Sequence, residues 1–221
     1  MSQVIRDVQK LYPNFRYRYT DVLYDLEQAG IPLRCYETFR GKIRQERGAA
    51  TGKSKAHFMQ SMHQYGLAAD TVGYIDGQWS WDNGLPWKRY GKIVDDHGLI
   101  WAGHWKSFRE MVHCQLGEFT YAQVRNGIQA EPEACDYPHL WFDWYRWWLP
   151  QIYDTDVGVA CVQRGCVQLG EDPGPIDGMY GPKTAKAHAK VLGIKNHDYL
   201  MSRQAMQDLL TRLEEEEVWN D

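Results

Sequence analysis

Nowhere in its 221 residues does this chain run to the ~20 consecutive apolar residues that a membrane-spanning helix needs. The opening "MSQVIRDVQKLYPNF" is amphipathic and lacks the apolar run of a secretory leader. The sequence therefore predicts a product left in the cytoplasm unless another agent releases it. A basic excess is missing too: the net charge is −4, which argues against a general nucleic-acid binder. The charge is unevenly spread, with eleven Lys/Arg against six Asp/Glu in residues 1–60. The acidic tail "EEEEVWND" reads as a solvated helix end. Paired cysteines are also lacking. Five Cys, an odd number, fit reduced thiols better than a disulfide framework. Cys161 and Cys166 stand five apart with no partner pair, so a zinc finger is excluded, and most of these thiols are expected as small core residues.

What the chain has in plenty is aromatic surface. Ten Trp and fourteen Tyr can build a core or line a sugar-binding surface. The length suits one medium domain, or one domain and a small module. Residues 3–29 predict helix in two pieces, broken at Pro13 and closed at Gly30. "IPLRCYET" predicts a strand, and 40–60 helical pieces around a loop marked by Gly48 and Gly52. "GLAADTVGYI" predicts a strand entered from a turn at His63. Residues 76–87 predict a loop, and "WKRYGKIVDDHG" a helix closed at Gly98. Past about residue 130, "QAEPEACDYP" suits a linker, and "HLWFDWYRWWLPQIY" an amphipathic helix packing two modules together. From 156 on, short helices join through a Gly-rich turn, too small a core for an enzyme but enough for a binding module.

The candidate chemistry sits in "SMHQYGLAAD" and "REMVHCQ". A hydrolytic zinc ion takes three protein ligands from His, Asp or Glu and keeps a fourth position open. His63, Asp70 and His113 can supply such a set. The small residues Gly66, Ala68 and Ala69 let the chain fold back between the first two. Glu110, three residues before His113, is placed to act as a proton acceptor if the chain turns at "EMVH"; in a flat strand the two side chains would point apart. Spacing alone does not settle the set, because eight His and many carboxylates make such pairs common by chance.

The same residues carry a family resemblance. "SMHQYGLAAD" resembles the S-x-H-x-x-G-x-A-x-D motif of the zinc D-Ala-D-Ala carboxypeptidase and L-alanyl-D-glutamate endopeptidase family. "GLIWAGHWKSFREMVHCQ" is similar to its second block, and "YETFRGKIRQ" to its T-x-R-x-x-x-x-Q element. The three blocks stand in the family's order and span residues 33–115. The resemblance implies His63, Asp70 and His113 as metal ligands and Glu110 as general base. It implies Arg40 as the arginine that faces substrate and steadies an oxyanion, a task suited to a fixed charge on a planar fork. Ser61 is implied as a substrate hydrogen-bonder and Gln45 as support for the Arg40 loop, while Trp101 and Trp105 are candidates to line the cleft. Glu110 matches the carboxypeptidases and the longer Trp-rich block matches the endopeptidases. Cys114, where the family has an aromatic, puts a thiol next in sequence to a ligand.

"VQRGCVQLGEDPGPIDGMYGPKTAKAH" resembles a three-helix peptidoglycan-binding domain. Gln163, Asp177, Gly178, Tyr180, Gly181 and Thr184 match its pattern, and Asp177, Tyr180 and Thr184 are the implied wall-binding residues. The expected fold is α+β: a zinc peptidase domain with a small antiparallel sheet and flanking helices (1–130), a Trp-rich link (131–150) and a three-helix module (151–221). The expected function is that of a phage endolysin, a monomeric zinc enzyme acting on bacterial peptidoglycan at the L-Ala–D-Glu bond. It would be held in the host cytoplasm until released to the wall. The alternatives are a D-Ala-D-Ala carboxypeptidase or dipeptidase, and a non-catalytic wall-binding protein. A muramidase ranks last, for want of a convincing acid pair.

Overall fold

The computed structural model describes residues 3–118, 149–194, 200 and 202–215. The linker and Trp-rich segment up to residue 148, and the acidic tail beyond Glu215, lie outside the described residues. Contacts divide the described chain into two compact units, Met1–Arg40 with Ser61–Thr120, and Gly41–Gln60 with Tyr121–Asp221. No helix among the described residues is long and apolar enough to cross a membrane.

The first unit is a mixed α+β body around an antiparallel sheet. A 3-10 turn at Val8–Lys10 precedes α1 (Pro13–Gln28), so the N-terminal helical region is in two pieces, with Pro13 at the first turn where its missing N–H costs nothing. Phe15, Tyr19, Val22 and Leu26 recur at helical spacing and are fully buried, each aliphatic or Phe contributing roughly 1.5–3 kcal/mol of burial. Strands β1 (Leu33–Glu37), β2 (Ala68–Ile75), β3 (Gln78–Ser80), β4 (Leu99–Trp101) and β5 (His113–Leu116) form the sheet, in order β1-β2-β5-β4 with β3 paired to the outer end of β2. β3 lies in the stretch expected to be loop. Asp76 and Gly77, both at positive φ, make the tight turn that returns the chain, and polar exposed residues masked its alternation. The helix α3 (Trp87–Asp96) closes at Gly98, φ 67°, as expected.

One face of this sheet is anchored by two tyrosines. The hydroxyls of Tyr19, from α1, and Tyr90, from α3, meet Thr71 Oγ1 of β2 at 2.9 and 3.0 Å. Because side chains alternate along a strand, Asp70 must then point to the other face.

The second unit holds α2 (Lys42–Ala50) and the helices α4 (Asp156–Gln168), α5 (Pro182–Leu192) and α6 (Arg203–Glu215). α2 runs through Gly48 without a break and ends at Ala50, capped by Thr51, with Gly52 at φ 71° just beyond. The carboxylate of Asp156 accepts from the Lys42 N–H at 2.6 Å, satisfying an orphan donor at the start of α2, and Lys42 Nζ donates to the Asp177 carbonyl. Residues 41–60 are thereby stitched to the C-terminal helices.

Candidate metal centre and active site

Strand β2 organises the site. Its register sets Asp70 opposite Glu37 of β1 and opposite His113 of β5. Directly opposed residues share a face, so the three side chains gather together. His63 arrives from the 3-10 turn Met62–Tyr65, and Gly66, at φ 66°, reverses the chain into β2. Ala68 and Ala69 are fully buried, so the return is close-packed.

Three ligand-type atoms meet in a near-equilateral triangle. His63 Nε2, His113 Nδ1 and Asp70 Oδ1 lie 3.2 Å from one another. A tetrahedral ion with donors about 2.0–2.1 Å away spaces those donors roughly 3.3 Å apart, so the set fits a zinc-type ion. The tautomers agree with this. His63 Nδ1–H donates to the Thr38 carbonyl at 2.9 Å, and His113 Nε2–H to Gln115 Oε1 at 3.2 Å, leaving the inward nitrogens as lone pairs. Among the described residues these three form a group of His, Cys and carboxylate side chains able to hold a metal.

The electrostatics follow the packing. Burial opposes the Asp70 charge, but His63, His113 and Arg40 outweigh it and hold the carboxyl well below its ordinary 3.8. Burial pushes His63 down, helped by the Arg40 charge. Burial pushes His113 down too, but Asp70 beside its Nδ1 and the Glu110 charge favour its protonated form strongly enough to raise it. Glu110 is raised above 4.5, first by burial and then by the Asp70 charge, with His113 opposing. A raised carboxyl suits a group that accepts and returns a proton.

The turn demanded at "EMVH" is present as a bend at Met111–Val112, not as helix. The Thr71 N–H donates to the Val112 carbonyl at 2.8 Å, fixing where the chain enters β5. Arg40 joins the site: its Nη2 donates to Asp70 Oδ2 at 2.9 Å. Trp105 stands beside His113, ring centres 5.5 Å apart. Ser61 opens the His63 turn in a reciprocal box with Gln64 and is 8 % exposed.

Two expectations need correction. Trp101 is core and does not line the cleft. It is 5 % exposed, its ring lies against the Cα positions of Gly91 and Gly103, and its indole N–H donates to the Met111 carbonyl at 2.8 Å. It braces the segment between Glu110 and His113. Gln45 does not support Arg40: fully buried, it donates to Ser54 Oγ and the Ala56 carbonyl, pinning the loop after α2 within the other unit. Cys114 pairs with Ala69 and so lies on the face opposite Asp70 and His113. Burial pushes its thiol up to about 12, which leaves it protonated and no rival for the metal.

Two side chains at the site escaped the sequence reading. Gln115 was findable, since two residues after His113 on a strand is the same face. Glu37, buried opposite Asp70, stands three before Arg40 in "YETFR". Thr38 serves through its backbone carbonyl, for which no side-chain signal exists.

In the second unit the implied wall-binding residues are partly spent on folding. Gln163, 1 % exposed, donates to Asp177 Oδ1, the Met179 carbonyl and Thr184 Oγ1, and accepts from the N–H groups of Asp177 and Gly178. Thr184 is buried and donates to the Pro173 carbonyl. Tyr180 meets His188 Nδ1 at 2.9 Å beside a small cleft also lined by Tyr153, Val159, Val162 and Met206.

A His–Asp–His triangle with a carboxyl and an arginine beside it is a candidate metal site. Residues 54–116 match the family model described as D-alanyl-D-alanine carboxypeptidase. Among solved structures it is similar to the Serratia marcescens L-Ala D-Glu endopeptidase ChiX, at 23 % identity and a TM-score of 0.40, over 52 % of this chain and 90 % of that one.

Proposed function

We propose that the chain is a zinc peptidase that hydrolyses the stem peptide of bacterial peptidoglycan at the L-Ala–D-Glu bond, in the manner of a phage endolysin. The observation that carries the chemistry is the 3.2 Å triangle of His63, Asp70 and His113 with Glu110 close by. When bound there, a zinc ion supplies Lewis acidity and lowers the pKa of water towards ~7. Glu110 takes the proton from the attacking water and returns it to the leaving amine, while Arg40 offers the substrate oxygen a fixed positive charge. Trp105 walls the ligand His113 and restricts water there. The proposed functional division is a catalytic part (1–130), a Trp-rich link (131–150) and a wall-holding module (151–221) that raises local substrate concentration. In that module Asp177 and Thr184 shape the turn that presents Tyr180 to the wall.

A second reading is a D-Ala-D-Ala carboxypeptidase, favoured by the description of the matching family and by Glu110. Digestion of purified peptidoglycan with and without a chelator, with mass spectrometry of the new termini, separates the two. Chelator-sensitive fragments with a new D-Glu amino terminus are expected. Free D-Ala moves the assignment to the carboxypeptidase, and intact stem peptides refute both.

A further inference from the structure

Glu37 is the most buried carboxylate on the site face, at 1 % exposure, and the chemistry above gives it no task. A carboxylate taken that far from water costs several kcal/mol unless it is paired. Its partner is Arg40: Nε and Nη2 both donate to Glu37 Oε2, at 2.9 and 2.6 Å. The same Nη2 donates to Asp70 Oδ2 at 2.9 Å. Asp70 is thus divided between two neighbours, with Oδ2 held by Arg40 and Oδ1 facing His63 and His113.

The backbone is shaped for this chain of contacts. Between Cys35 and Glu37 the β1–β2 register shifts: Cys35 pairs with Thr71, yet Glu37, two residues on, pairs with Asp70, only one residue back. Such a β-bulge places one extra residue, Tyr36, in β1. In an unshifted ladder Tyr36 would stand opposite Asp70 and Glu37 would turn to the tyrosine-anchored face.

We propose that Glu37 is a positioning residue that locks Arg40 in place, so that Arg40 holds one oxygen of Asp70 and leaves the other for the metal. The proposal rests on the reading of His63, Asp70 and His113 as a zinc site. It changes the account of Arg40, whose Nε and Nη2 orient a ligand, leaving Nη1 as the arm for substrate. Partners that orient metal ligands in this way typically govern affinity or activity by about 10–100-fold.

The test uses the full chain and the variants Glu37→Gln, Arg40→Lys and the two combined. Zinc affinity is read by competition with a chromophoric chelator, turnover on peptidoglycan gives kcat and KM, and calorimetry gives the melting temperature. Glu37→Gln is expected to weaken zinc binding by about tenfold or more and to lower kcat with KM nearly unchanged. The double variant is expected to bind zinc no more weakly than Arg40→Lys alone, because the proposal has Glu37 act on the metal site through Arg40. Wild-type zinc affinity in Glu37→Gln, or losses that multiply in the double variant, would overturn the proposal, as would a lowered melting temperature with affinity intact. Should Glu37→Gln fail to fold, Glu37→Leu with Arg40→Met removes both charges at similar volume, and unweakened zinc binding there is equally fatal. A wild-type chain that binds no zinc overturns the site and the proposal together. A chain that binds zinc but cleaves no stem peptide overturns the function alone, and the affinity measurement still decides the role of Glu37.

Discussion

The two units use buried polar side chains in opposite ways. Around β2, polar atoms converge and some are left over: the outward nitrogens of His63 and His113 are satisfied, while their inward lone pairs and Asp70 Oδ1 face one another. Around Gln163 nothing is left over, because its amide serves five backbone and side-chain partners, and the Asp177–Gly178 turn closes on it. Leftover lone pairs make a site that can take a metal. A closed network makes a turn with a defined shape. The contrast teaches that matching a motif residue does not tell which of these two uses it serves: Thr184 and His63 both match motifs, yet one is consumed by the fold and the other is available for chemistry.

The contrast can be broken most strongly at Glu110. Replacing it by Gln is expected to lower kcat by about 10²–10⁴-fold while zinc content stays that of the wild type, measured as the rate of new amino termini alongside metal analysis. A variant that loses zinc together with activity would make Glu110 part of the ligand set. In the other unit, Gln163→Leu strands the N–H groups of Asp177 and Gly178 and is expected to cost about 4 kcal/mol. Hydrogen exchange of the α4–α6 amides reads this loss, and cleavage of a small soluble stem peptide should not change. Equal loss of peptide cleavage would mean that the two units do not work separately.

The smallest of the three effects concerns pH. Burial pushes His188 down from 6.5 to about 4. A histidine held neutral in the fold takes up its proton more readily when unfolded, so its contribution is complete above about 6.5 and declines as the pH falls towards 4. The decline amounts to about 3 kcal/mol. Unfolding of the C-terminal helices followed between pH 7 and 4 should show it, and His188→Gln should flatten the profile. A profile unchanged by that substitution would place the acid sensitivity elsewhere.

Much of the first unit was legible from pattern. The apolar spacing of Phe15, Tyr19, Val22 and Leu26 marked α1, and Gly66 and Gly98 marked the ends of their elements. The metal-type cluster was legible because two ordered motifs carried its residues, and bringing Glu110 to the side of His113 requires the chain to turn where it bends at Met111–Val112. What sequence could not carry was tertiary. Trp101 looks the same whether it lines a cleft or lies between Gly91 and Gly103, and only packing decides. The face on which Cys114 lies depends on the β2–β5 register. The grouping of 41–60 with the C-terminal helices depends on Asp156 reaching the first turn of α2 across more than a hundred residues.

The extra residue in β1 also makes the strand unequally sensitive to changes in length. Removing Tyr36 would straighten the ladder yet leave Glu37 opposite Asp70, because the shift between Cys35 and Glu37 is what that residue accounts for. Removing Arg34 instead would carry Leu33 to the wrong side of the sheet and expose a residue that is now buried. Deletion at Tyr36 has its own local cost, since its ring stands between Trp79, Trp81 and the guanidinium of Arg6. Within β1, then, a one-residue deletion at Tyr36 spares the register of the site, and the loss falls on an aromatic cluster instead of on the candidate metal ligands.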